Sequence, residues 1–262
     1  MAKVIAVCNQ KGGVGKTVTT VNLGIGLARA TKTVLLVDMD AQASLTLSLG
    51  YEPEKIENTI AAVMGKYMSD SDTKINILKC ILHHKEKVDL LPSNMELSGL
   101  EAALVNTMSR ETVLRNCLKM LRDKYDYIIV DCSPSLGMLT INSLAFADTV
   151  LIPVQAQYLS MKGLEQLIRT ISKVKMHINK KLDISGILIT MANMRTNYSK
   201  ELVTLLHQNY DKKVQIFKEY IPMSVKAAEI SAEGTSIYVH DKNGKVAKAY
   251  EALVQEVLTW QK

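Results

Sequence analysis

The residues with most chemical potential fall in two groups. The first is the run Lys11-Gly12-Gly13-Val14-Gly15-Lys16-Thr17; the second is three aspartates, Asp38, Asp40 and Asp131, which stand at or just beyond the ends of apolar runs. Glycines this close together let backbone N–H groups converge on an anion. A lysine then neutralises the anion, and a hydroxyl with a nearby acid holds a divalent cation. Gly15-Lys16-Thr17 supplies the second half of the phosphate-loop pattern G-x-x-x-x-G-K-[ST], but its first glycine would fall at Gln10, and Lys11 is an additional lysine. The chemistry expected is binding of a nucleoside triphosphate, which such a loop need not hydrolyse. Lys16 would reach the β- and γ-phosphates and Thr17 would place its hydroxyl on Mg²⁺. Asp131 would hold that ion through water, with Asp38 supporting the metal side. Asp40 would orient the attacking water. The expected ATP contacts are Gly12, Gly13, Val14, Gly15, Lys16, Thr17 and Val18.

These residues need elements to hold them. The apolar run Val4–Val7 predicts a buried strand before the loop, and the spacing of Val21, Leu23, Leu27 and Ala28 predicts a helix over 18–30 after it. Residues 33–37 read as a second strand, ending at Asp38, and 127–130 as another, ending at Asp131. Acids at the carboxyl ends of strands lie on the ligand side of an open parallel sheet. Further strands are expected at 88–91, 150–154, 184–191 and 214–221. Helices are expected at 44–49, 59–67, 96–106, 111–124, 138–147, 162–177, 198–210, 224–232 and 245–260, with a polar loop after the helix at 59–67. Strands alternating with helices predict an α/β fold: one P-loop domain over 1–262, with a mostly parallel twisted sheet and helices on both faces.

Composition narrows the class. Hydrophobic residues make up 47% of the 262 and aromatics 5%, which describes a folded core built from aliphatic side chains. No apolar run approaches the length of about 18 residues that reads as a membrane span, and the N-terminus enters a strand at once, so a cytoplasmic location is expected. Cys8, Cys80, Cys117 and Cys132 are scattered and read as reduced thiols. His83-His84 reads as a solvated loop pair. The net charge of +6 is carried entirely by residues 151–262, since residues 1–150 hold sixteen basic and sixteen acidic side chains. A basic half suits a polyanion surface, and equally a solvated lysine-rich one.

The chain resembles the deviant Walker A ATPases of the ParA/MinD class, and within it the ParA/Soj partition proteins. The resemblance is carried by residues 11–17, by Thr20-Val21-Asn22-Leu23, Val37-Asp38-Met39-Asp40-Ala41-Gln42 and Tyr127 to Gly137, and by Leu151-Ile152-Pro153-Val154, Arg195-Thr196-Asn197 and Ile221-Pro222. It implies that Lys11 crosses a dimer interface to the partner's ATP, so that two chains sandwich two nucleotides. It further implies slow ATP hydrolysis with Mg²⁺, sequence-independent DNA binding by the ATP dimer on the nucleoid, and a ParB-like centromere-binding partner that stimulates hydrolysis. Such a cycle moves plasmid, chromosome or mobile-element DNA. By the same resemblance Pro222 and Met223 line the adenine, while Arg195 and Lys226 contact DNA.

Three positions depart from the pattern. Ala41 replaces a usual proline, Met223 replaces a common arginine, and Ala228-Glu229-Ile230 replaces S-E-A-P. The lost arginine shifts attention to Lys173, Lys175, Lys180 and Lys181 as further DNA contacts. Alternatives are a MinD-like positioning ATPase that docks on membranes through the apolar stripe of 245–260, a nucleotide-gated DNA-binding regulator, and an iron–sulfur ATPase resembling the nitrogenase iron protein. For the last, Cys117 and Cys132 lack the glycine-rich context of cluster ligands.

Overall fold

The computed structural model describes residues 1–69, 76–155, 159–210 and 214–260. In chain order the elements are β1 (Lys3–Val7), α1 (Lys16–Arg29), β2 (Val34–Met39), α2 (Ser44–Ser48), α3 (Ile60–Met68), β3 (Leu82–His83), β4 (Asp89–Leu91), α4 (Glu96–Leu104), α5 (Val113–Leu118), β5 (Tyr127–Cys132) and α6 (Met138–Phe146). There follow β6 (Thr149–Gln155), α7 (Leu159–His177), β7 (Asp183–Thr190), α8 (Asn197–Tyr210), α9 (Lys226–Glu233), α10 (Ile237–His240) and α11 (Lys245–Thr259). The strands form one sheet in the order β3-β4-β2-β5-β1-β6-β7, parallel throughout except for the β3–β4 pair.

Strand parity divides the core. Val4, Ala6 and Cys8, Leu35, Val37 and Met39, and Ile128, Val130 and Cys132 face the layer formed with α3 to α7. The alternate residues Ile5, Val7, Val34, Leu36, Tyr127 and Ile129 face α1, α2 and α9 to α11. A sheet covered on both faces needs apolar residues at every strand position, and that is why these runs do not alternate with polar residues. The same parity turns Asp38 and Asp131 towards α1.

The central helix α1 lies between the sheet and α11. On α11 Val246, Tyr250, Leu253, Val254 and Val257 are all buried, each aliphatic residue contributing on the order of 1.5–3 kcal/mol. The stripe that a membrane-surface helix would present is therefore used to close the core. Among the described residues no helix is long and apolar enough to cross a membrane.

Several expectations need correction. β2 and β5 each run past their acid, so Asp38 and Asp131 are ladder residues rather than the first loop residues. The helix expected at 111–124 is only six α-helical residues between two 3₁₀ turns. Residues 214–221 are not a regular strand: they follow the outer edge of β7 through isolated bridges at Ile216 and Pro222. The Lys218 N–H leaves the ladder to bond the Glu256 carboxylate at 3.2 Å. β3 and α10 were not anticipated. The polar loop expected after α3 falls partly on residues 70–75, outside the described residues. His83 is exposed and bonds Asp89, but His84 is buried, so the pair is not a solvated one.

Close packing of α1 carries a prediction. A Cβ on Gly26 would lie 2.5 Å from both the Tyr238 hydroxyl and a Val254 methyl, two buried side chains with little room to move. Gly26→Ala should lose about 1–3 kcal/mol of stability in urea denaturation, as overpacked cores do; a stability equal to wild type would contradict the packing described.

Candidate active site

The phosphate loop starts where β1 ends. Asn9 is buried and anchors it twice: its amide donates to the Pro153 carbonyl at 2.7 Å, and its side-chain oxygen accepts from the Lys11 N–H at 2.9 Å. Gly15, at φ +83°, forms the cap of α1, a left-handed conformation that disfavours any side chain. Lys16 opens α1 with its ammonium on the Lys11 carbonyl at 3.1 Å. A helix start leaves its first N–H groups unbonded and places the positive end of the helix dipole there, so the loop is built to receive an anion.

The acids stand beside it. β2 and β5 pair with Asp38 directly opposite Asp131. Thr17 donates its hydroxyl to Asp131 at 2.7 Å, and Thr20 approaches the other oxygen at 3.4 Å while also donating to the Lys16 carbonyl. Asp38 accepts from both the hydroxyl and the N–H of Thr46, at 2.7 and 2.9 Å, and from the Asp40 N–H at 3.2 Å. Burial raises the Asp38 carboxyl to about 6, with hydrogen bonds from Thr46 working against the shift. Burial, reinforced by the charge of Asp38, raises Asp131 to about 8. Two desolvated carboxylates with a hydroxyl between acid and loop are a set of hard oxygen donors, and this set fits Mg²⁺, which uses one or two protein carboxylates and keeps most of its waters. Asp40 is half-buried in the turn after β2, where it accepts from the Gln42 N–H at 3.0 Å. Ala41, in place of proline, is buried in that turn.

Other expected residues are more scattered. Pro222 pairs with Ala192 just beyond β7, and the Met223 N–H bonds the Ala192 carbonyl at 3.3 Å. With Lys226, Asp241 and Lys245 they line a cleft of about 320 Å³. Lys226 is ion-paired to Asp241 at 2.9 Å. Arg195 is exposed in the turn after β7. Lys173 and Lys175 lie near the end of α7, and Lys175 pairs with Asp183 at the start of β7. Lys180 and Lys181 lie in the turn between α7 and β7, so the six expected DNA contacts split into two groups, Arg195 with Lys226 and the four lysines, at opposite ends of an eight-residue strand, about 25 Å apart. Cys8 and Cys132, both free thiols, are buried with their sulfurs 2.7 Å apart, and burial pushes the Cys8 thiol up. Cys117 sits on α5, where burial raises it to about 12. Asn9, Thr20 and Thr46 were missed from the sequence. The Thr20 of the run Thr-Val-Asn-Leu, one helical turn after Lys16, was the available signal.

A glycine loop between β1 and α1, an acid on each of two neighbouring strands and a parallel sheet define a P-loop nucleotide-binding protein. Comparison with known proteins agrees. Residues 2–184 match the family described as an AAA domain. The chain is 42% identical over 257 residues to the sporulation initiation inhibitor protein Soj of Bacillus subtilis, covering 98% of each. It is 40% identical to the chromosome partitioning protein ParA of Myxococcus xanthus over 98% of this chain and 88% of that one. Among solved structures, cobyrinic acid a,c-diamide synthase of Mycobacterium smegmatis with bound ATP analog and magnesium superposes with a TM-score of 0.87 at 32% identity, covering 100% and 97% of the two chains. The chain belongs to the ParA/Soj family of P-loop ATPases.

The raised carboxyls predict a pH dependence. Ordinary aspartates titrate near 4, so above about pH 4 the folded protein holds protons that the unfolded chain has released, and stability falls as pH rises towards 8. Without metal, the melting temperature should decline from about pH 5 to 8, and Asp131→Asn should flatten that decline. An identical slope in the variant would count against the buried, protonated Asp131.

Proposed function

We propose that the protein is an ATP-gated dimer that binds DNA without sequence preference and, with a ParB-like partner, partitions or positions DNA, residues 1–262 acting as one unit. The observation that carries this reading is the joining of the two-lysine loop to Asp131 through Thr17 at 2.7 Å, in a chain whose relatives include a chromosome partitioning protein. Bound Mg²⁺ would supply charge neutralisation for the β- and γ-phosphates, held by Thr17 with Asp131 and Asp38 beside it. Lys16 exchanges the Lys11 carbonyl for phosphate oxygens. Asp40, in the turn after β2 next to this cluster, orients the attacking water. Lys11 reaches the partner's nucleotide, so the γ-phosphate becomes part of the interface and its loss weakens the dimer.

For the DNA surface, Arg195 and Lys226 are the pair at the strand ends where the nucleotide binds, which lets the nucleotide state govern their placement. Phosphate contacts of this kind give salt-dependent, sequence-independent affinity. Pro222 and Met223 border the base through backbone groups. The location that follows is the nucleoid.

Purified protein should hydrolyse ATP slowly, faster with DNA and a ParB-like partner, and Lys16→Ala should abolish turnover. A Lys16→Ala protein with wild-type rates would remove the ATPase assignment. Lys11→Ala should still bind nucleotide yet show no ATP-dependent dimer on gel filtration; a dimer that survives the change would exclude the cross-interface role. Arg195→Ala should weaken DNA binding equally on unrelated sequences and reduce the salt slope by about 1, whereas an unchanged slope would exclude Arg195 as a phosphate contact.

A further inference from the structure

The phosphate loop is held from outside by two side chains far away in sequence. Thr190, the last residue of β7 and 1% exposed, donates its hydroxyl to the Val14 carbonyl at 2.8 Å. Gln155, the last residue of β6, donates its amide to the Gly13 carbonyl at 3.2 Å. Thr190 also lies beside the next residue of the loop, its methyl 3.9 Å from where a Cβ on Gly15 would stand.

A trans peptide unit is planar, with its C=O and the following N–H pointing in opposite directions. Fixing the Val14 carbonyl therefore aims the Gly15 N–H, and fixing the Gly13 carbonyl aims the Val14 N–H. Among the described residues, no protein acceptor meets the N–H groups of Gly13 to Thr17. Backbone donors are rarely left without a partner, so these are the groups that an anion completes.

The same end of β7 also carries the base segment. The Ile221 N–H bonds the Ile189 carbonyl at 2.9 Å and the Ala192 N–H bonds the Ile221 carbonyl at 3.0 Å, with Met191 between them at φ +51°. Ile189 to Ala192 thus touch the loop on one side and the Pro222 segment on the other.

We infer that Thr190 is a positioning residue for nucleotide phosphates, aiming the Gly15 N–H by holding the Val14 carbonyl, with Gln155 doing the same for Val14. This rests on the ATP reading above. The test is Thr190→Val, which keeps the shape and removes the donor, beside Thr190→Ser, which keeps the donor. Affinities for ATP, ADP and AMP with Mg²⁺ are measured by calorimetry. Thr190→Val should weaken ATP and ADP about tenfold, leave AMP unchanged, and raise KM far more than it lowers kcat. Thr190→Ser should stay within about twofold of wild type for all three.

A Thr190→Val protein that binds ATP as wild type does, or that loses AMP to the same extent as ATP, overturns the role. If Thr190→Val shows no cooperative melting, Gln155→Met decides: a loss of about threefold for ATP and ADP but not AMP supports the positioning scheme, and unchanged affinity refutes it. Wild-type protein that binds no ATP overturns the nucleotide reading itself. That result is distinct from an ATP-binding wild type beside an equally competent Thr190→Val, which removes Thr190 alone.

Discussion

The structure depends on keeping two carboxyl groups, Asp38 and Asp131, side by side inside the protein. Desolvating one carboxylate costs several kcal/mol, and a like charge alongside adds to that. The surrounding groups offset part of the cost in different ways. Thr46 gives Asp38 two hydrogen bonds, while Asp131 takes those of Thr17 and Thr20 from α1. The helix that follows the phosphate loop is therefore also the one that hydrogen-bonds the acid. The cost that remains is met by protonation, since burial and the neighbouring charge raise Asp131 to about 8, so the charge state at the centre of the sheet responds to whatever cation approaches it.

Strand order extends that hold outwards. β1 lies between β5 and β6, so the loop emerging from it has an acid-bearing strand on one side and a strand of anchoring carbonyls on the other. Asn9 bonds to Pro153 on β6, and β7, one strand further, reaches the loop through Thr190. Ligand sites at the carboxyl ends of parallel strands follow from this kind of topology. A scaffold of this kind does not by itself fix the output. The two-lysine loop and the Soj and ParA relatives narrow it.

Much of this was legible in the residues. The fully apolar runs at Val4–Val7 and Tyr127–Val130 mark strands covered on both faces, and Asp131 was legible as an acid at the ligand end of one of them. The glycine spacing of the loop marks its turn. What could not be read were contacts that depend on strand order: that Asp38 faces Asp131, that Thr46 serves Asp38, and that Asn9 reaches Pro153. Short elements were lost for a related reason. Residues 214–221 carry a strand-like pattern, but Glu256 on a distant helix captures the Lys218 N–H and bends the chain. The helix expected at 111–124 starts its α-helical part only at Val113, where Asn142 of α6 accepts from the Leu114 N–H in the first turn. Local propensity cannot anticipate a tertiary competitor for one backbone donor.

The two edges of the sheet bear on how copies of the chain can meet. On one side the last strand, β3, is two residues long and antiparallel to its neighbour. On the other, the irregular segment through Ile216 and Pro222 lies along β7 and occupies its outer hydrogen bonds. Short or covered edges are how β proteins avoid growing into one another. Such protection matters for any chain present at high local concentration, because crowding would otherwise favour irreversible strand pairing. With both borders blunted, self-association is left to side-chain surfaces, where it can be reversed.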